Sequence, residues 1–145
     1  MPQSDRTRGR LTRRQAMALI AAAAATPRLA AAAEPILRAI PASGEKLPAL
    51  GLGTWQVLDV PQSGAEFDAA LGAMRSFLAA GGRVIDSSPM YGRAEERIGD
   101  ILAELRPAGR PFLATKIWTS GKADGERQLA DSHRLMRSKV LDLVQ

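Results

Sequence analysis

An aspartate, a tyrosine and a lysine in this chain each stand at or just beyond the end of a short apolar run. Val84-Ile85 leads into Asp86, a turn of Ser87-Ser88-Pro89-Met90 follows, and Tyr91-Gly92 closes it. Tyr91 is the only tyrosine of the 145 residues. A second run, Phe112-Leu113-Ala114-Thr115, ends on Lys116. If the two runs are neighbouring strands of a parallel sheet, a carboxylate, a phenol and an ammonium meet at one rim. Together these groups can perform acid catalysis. A free tyrosine, with a pKa of about 10, is a weak acid at neutral pH, and a nearby cation favours the phenolate and so strengthens the donor. Lys116 can supply that cation, and Asp86 can hold the ammonium in place.

The elements that must position these groups alternate along the chain. Residues 37–40 and 46–47 flank Pro41-Ala42-Ser43-Gly44 and predict a small hairpin. Residues 50–54 predict a short strand whose glycines, Gly51 and Gly53, permit close approach of another backbone or a ligand. Ser63-Gly64-Ala65-Glu66 has the pattern of a capping box. Phe67, Ala70, Leu71, Met74, Phe77 and Leu78 then recur at helical spacing until Gly81-Gly82 stops the helix. After the strand 84–86, the spacing of Ile98, Ile101, Leu102 and Leu105 predicts a helix over 93–105. Glu95 and Glu96 fall in its first turn, where the helix dipole favours acids, and Pro107-Ala108-Gly109 ends it. A strand over 112–115, a polar loop over 121–125 and a helix over 126–138 follow, the helix carrying Leu129, His133 and Met136 on one face. A last strand spans 140–145. Strands and helices alternating across short turns predict βα units around a parallel sheet. The last strand has no helix after it, so the sequence reads as a piece of a longer parent.

Charge is unevenly distributed. The whole chain has 20 basic and 15 acidic residues. Residues 1–33 hold six arginines (Arg6, Arg8, Arg10, Arg13, Arg14 and Arg28) and one acid, Asp5, which leaves fourteen of each sign in the remainder. A nucleic-acid surface needs clustered excess charge on the folded part, so that class is set aside. The absence of cysteine excludes disulfides, cysteine-ligated zinc and thiol nucleophiles. No metal site is expected.

Residues 1–33 read as a signal peptide. Thr12-Arg13-Arg14-Gln15 precedes an apolar run over 16–26, Pro27-Arg28 interrupts it, and Ala31 and Ala33 form a small-residue cleavage site before Glu34-Pro35. The run is about 11 residues, against the roughly 20 that span a bilayer, so stable membrane insertion is not expected after cleavage. The arginine pair with a weak apolar stretch resembles a twin-arginine signal, although Ala16 stands where a bulky apolar residue is usual. The resemblance implies a twin-arginine export machinery as partner and a periplasmic or otherwise exported destination in a bacterium. Residues 34–145 form the expected folded domain.

Three stretches in order, Gly51-Leu52-Gly53-Thr54-Trp55, Asp86 through Glu95, and Thr115-Lys116-Ile117-Trp118, resemble the aldo/keto reductase family. The most specific part is Asp86, four residues, Tyr91-Gly92, two residues, Glu95, behind Gly81-Gly82-Arg83-Val84-Ile85, with Lys116 at the end of the next strand. The likeness covers residues 36–145. It implies an α/β fold, a (β/α)8 TIM barrel whose N-terminal hairpin closes the bottom. Such barrels take about 250 residues, so three to four βα units would be present.

The resemblance also implies a function. It is an NADP-dependent oxidoreductase reducing an aldehyde or ketone to an alcohol. Tyr91 gives the proton, assisted by Lys116 and Asp86, and NADP(H) carries the hydride. Gly53, Thr54, Trp55 and Asp86 would lie at the nicotinamide end of the cofactor, and Trp55, Tyr91 and Trp118 around a small carbonyl substrate. The family's substrate-orienting histidine would fall just past Gln145; the only histidine, His133, lies on a predicted helix and is read as a packing residue. The family's phosphate contacts lie in the second half of the barrel, and no G-x-G-x-x-G fingerprint replaces them here. Two other readings fit the same residues: a non-catalytic binding or regulatory barrel module, and an inactive truncated fragment.

Overall fold

The first apolar segment folds back on itself before the sheet begins. β1 (Leu37–Ala39) pairs antiparallel with β2 (Lys46–Pro48), Leu37 opposite Pro48, and Gly44 at φ 72° closes the turn. This is the expected hairpin. The computed structural model describes residues 34–145. The signal-peptide reading lies outside those residues.

Four parallel strands then form one sheet in sequence order: β3 (Leu52–Gly53), β4 (Val84–Asp86), β5 (Phe112–Thr115) and β6 (Leu143–Val144). Three helices connect them: α1 (Ala65–Ala79), α2 (Ala94–Leu105) and α3 (Lys122–Leu135). Leu52 stands beside Ile85, Ile85 beside Leu113, and Ala114 beside Leu143. The predicted alternation is therefore present, with shorter strands: the ladder covers two residues of 50–54 and two of 140–145.

The helices bury their apolar faces on the sheet. Met74 of α1, Ile98 and Ile101 of α2 and Ile85 of β4 are completely buried, and Phe67, Leu71, Leu113 and Met136 join them in one cluster. Full burial of each of the large aliphatic side chains is worth about 1.5–3 kcal/mol. Among the described residues, no helix is long and apolar enough to cross a membrane.

Two local expectations fail. The capping box is not made: Gly64, at φ 95°, is the N-cap of α1, with no side-chain cap hydrogen bond. The Gly64 carbonyl instead accepts the Asp68 N–H at 2.9 Å. The left-handed backbone that glycine permits turns the chain into the helix and takes the cap position away from Ser63. The other failure is the loop over 121–125. α3 begins at Lys122, with Gly121 as its N-cap, and Gly125 is a buried helix residue against Ile117. Its end agrees better, since Met136 is the C-cap.

Asp142 fastens β6 to the sheet. Its backbone N–H donates to the Leu113 carbonyl at 2.8 Å, and its carboxylate accepts the Leu113 N–H at 2.8 Å and the Arg110 guanidinium at 2.7 Å. Burial pushes the carboxyl up, but the Arg110 hydrogen bond, the Leu113 N–H and the charges of Arg110 and Arg83 outweigh it and hold it below the usual carboxylate range. Asp142→Ala should cost about 1–3 kcal/mol, because the Leu113 N–H loses its partner; urea unfolding at neutral pH measures it. The folded-state pKa is lowered, so the carboxylate's contribution is present above the unfolded value near 3.9 and is lost as pH falls through the folded one. Wild type and variant should therefore converge in acid.

Candidate active site

β4 and β5 lie side by side, and their C-terminal ends carry the residues singled out above. Asp86 is the last residue of β4 and stands beside Ala114, and Lys116 follows the last residue of β5. Alternation along β5 sends Thr115 to the helix side and Lys116 to the other face. The Lys116 ammonium donates to Asp86 Oδ2 at 2.9 Å and to the Ser87 carbonyl at 2.8 Å. It also lies 5.3 Å from the centroid of the Tyr91 ring. The three groups are thus brought together, with lysine in the middle.

Tyr91 reaches this place through its turn. Its N–H donates to the Ser88 carbonyl at 3.0 Å, and its own carbonyl accepts the Ala94 N–H at 3.1 Å as α2 begins. Gly92, at φ 59°, allows the sharp exit, and any Cβ there would run into the Asp59 carboxylate. Asp59 accepts from Arg93 Nε at 2.8 Å and from the Arg93 N–H at 3.2 Å. The Arg93 side-chain hydrogen bond, with help from its N–H, holds the Asp59 carboxyl below its ordinary range. The loop after β3 is thereby clasped to the turn that carries Tyr91.

Two contacts at the rim had no signal strong enough to be found in the sequence. Gln145 Nε2 donates to Asp86 Oδ1 at 3.0 Å, so the carboxylate is held from both sides. A polar residue at the end of an apolar strand was the only hint. Thr54 is completely buried, and its hydroxyl donates to the Asp86 carbonyl or Ser87 Oγ, both at 2.9 Å. Its side chain fixes the end of β4 and faces away from the open rim.

Gly53 pairs with Asp86, and no atom lies within 4 Å of where its Cβ would be, which leaves room for a ligand. Trp55 and Trp118 are 63% and 64% exposed, two large apolar faces beside the rim with nothing packed over them. The Trp118 N–H is held by Gln128 Oε1. His133 is half-buried on α3, with Nδ1 2.8 Å from the Ser138 carbonyl, a packing role as expected. A cavity of about 460 Å³ lies at the other end of the sheet, lined by Ile36, Pro48, Leu50 and Phe77 among others, and offers no titratable group.

Comparison with known proteins decides the family. Residues 49–145 match the sequence profile of the Aldo/keto reductase family. The chain belongs to that family. An aldose reductase of Encephalitozoon cuniculi is 34% identical over 107 residues, which cover 70% of this chain and 33% of that protein. Aldo-keto reductase family 1 member A1 of Mus musculus is 32% identical over 84 residues, or 54% of this chain and 23% of that one. The crystal structure of an aldo/keto reductase from Klebsiella pneumoniae in complex with NADP and acetate matches at a TM-score of 0.59 and 32% identity, covering 70% of this chain and 35% of that chain. This aldo/keto reductase chain spans a third or less of the length of the two curated relatives. Its fold is that of the N-terminal part of a (β/α)8 barrel: the bottom hairpin and the first parallel strands.

Proposed function

We propose that the protein reduces a small aldehyde or ketone to the alcohol, with Tyr91 as proton donor. One observation carries this reading: the Lys116 ammonium sits between the Asp86 carboxylate and the Tyr91 ring at the C-terminal end of the strands. Active sites of such barrels lie at that end. Hydride arriving at a carbonyl carbon leaves negative charge on the oxygen, and a positioned acid lowers the barrier by meeting it. Tyr91 supplies the proton, Lys116 favours the phenolate left behind, and Asp86 with Gln145 keeps Lys116 in place.

NADP(H), the cofactor named in several of the similar structures, supplies the hydride when bound. The residues present fit its reactive end. Gly53, with open space over it, pairs with Asp86, and Trp55 two residues on is exposed, so Gly53, Trp55 and Asp86 would hold the nicotinamide. Thr54 would act from behind, through its grip on the end of β4. Trp55 and Trp118 would orient the carbonyl and exclude water. Carbonyl-dependent loss of nicotinamide absorbance by the full-length protein tests the proposal; no turnover across a panel of aldehydes and ketones would contradict it.

We also propose export through the twin-arginine route, on the strength of Arg13-Arg14, the mild apolar run and the Ala31 and Ala33 site. A reporter fused to residues 1–33 should be exported, and Arg13→Lys with Arg14→Lys should block it. Unchanged export of the double variant removes the twin-arginine assignment.

A further inference from the structure

The motif that carries Asp86 and Tyr91 ends on Glu95, and nothing in the proposed reaction uses that residue. Glu95 is the second residue of α2 and only 2% exposed. Its Oε1 accepts a hydrogen bond from Thr115 Oγ1 at 2.6 Å, and Thr115 is completely buried. Among the described residues this is the only side-chain hydrogen bond between the start of α2 and the end of β5. Its two ends are next to the two groups that must act together. Glu95 lies four residues after Tyr91, and Thr115 immediately precedes Lys116.

We propose that Glu95 is a positioning residue, which through Thr115 sets the separation of Tyr91 and Lys116. Burying a carboxylate is costly unless hydrogen bonds satisfy it, and an apolar side chain could fill the same space without that cost. The helix dipole at the first turn of α2 lessens the cost but does not require the contact with Thr115. What the contact adds is a fixed distance between a helix start and a strand end. A misplacement of about 1 Å at reacting groups can cost on the order of a hundredfold in rate. The Asp59–Arg93 clasp holds the Tyr91 turn on the β3 side, and the Ser87 N–H to the Ala114 carbonyl and Lys116 to the Ser87 carbonyl tie the start of the turn to β5; the far end of the turn, where α2 begins, is tied to β5 through Glu95.

The inference rests on Tyr91 and Lys116 acting as the acid pair, and the experiment separates the two. In the full-length protein, Thr115→Val removes the hydroxyl with little change of shape, and Glu95→Asp keeps the charge while withdrawing it by one methylene. Both should lower kcat about tenfold or more, with KM for NADPH unchanged. Glu95→Gln and Thr115→Ser, which keep an acceptor and a hydroxyl, should restore kcat to within about threefold of wild type. Thermal unfolding of each variant checks the fold, and if Thr115→Val does not fold, Glu95→Asp carries the comparison. Wild-type kcat in a folded Thr115→Val or Glu95→Asp protein overturns the proposal while Tyr91→Phe remains inactive. Full turnover by Tyr91→Phe removes the acid pair itself, and the positioning role with it.

Discussion

Tyr91→Phe should lower kcat for carbonyl reduction by about a hundredfold to ten-thousandfold, the range in which a positioned general acid contributes. The substitution removes only the hydroxyl. The Tyr91 ring packs against the buried cluster, and its turn is held by backbone hydrogen bonds and by Asp59 and Arg93, none of which phenylalanine disturbs. Lys116 keeps its bonds to Asp86 and Ser87 as well. NADPH affinity, followed by fluorescence titration, should therefore stay within about twofold of wild type, because the lost interaction belongs to the transition state. A variant with wild-type kcat would show that the proton comes from elsewhere.

Lys116→Met should cost about a hundredfold in kcat. The Lys116 ammonium lies 5.3 Å from the Tyr91 ring centroid; a unit charge about 5 Å from a developing phenolate oxygen is worth about 3 kcal/mol at an effective dielectric near 20, and Asp86 offsets part of it, so this figure is an upper one. Methionine keeps an unbranched stem without the charge. The Asp86 carboxylate, already more than a third exposed, keeps Gln145 as a donor, so the fold should survive. Lys116→Arg retains the charge but changes its shape and reach, and should fall between the two. The decisive comparison is kcat across these variants at one pH. Equal rates for Lys116→Met and wild type would leave Lys116 as a structural ion pair only.

Much of this arrangement is legible in the sequence. Helical spacing from Phe67 to Leu78 and from Ile98 to Leu105 located α1 and α2, because one apolar face must pack on the sheet. The order of strand, turn and strand placed Asp86 and Lys116 on adjacent strand ends. What failed was local chemistry with two physical solutions. Ser63 and Glu66 have the composition of a cap, but Gly64 reaches the turn through a backbone that the sequence pattern does not record. Gly125 resembles a helix breaker, yet it is a buried residue inside α3, packed against Ile117. Contacts between elements were invisible for a different reason. Thr54, Gln145 and the Glu95–Thr115 pair join positions 20 or more residues apart, and no local pattern encodes such a distance.

The most direct measurement follows the transferred hydrogen. The full-length protein would be given an aldehyde and NADPH deuterated at the transferable nicotinamide position, and the product alcohol examined by mass spectrometry. The account predicts one deuterium on the carbinol carbon with wild type and, over the same time, almost no alcohol with Tyr91→Phe. Alcohol formed without deuterium, equal product from Tyr91→Phe, or no product from wild type with any aldehyde or ketone would contradict it.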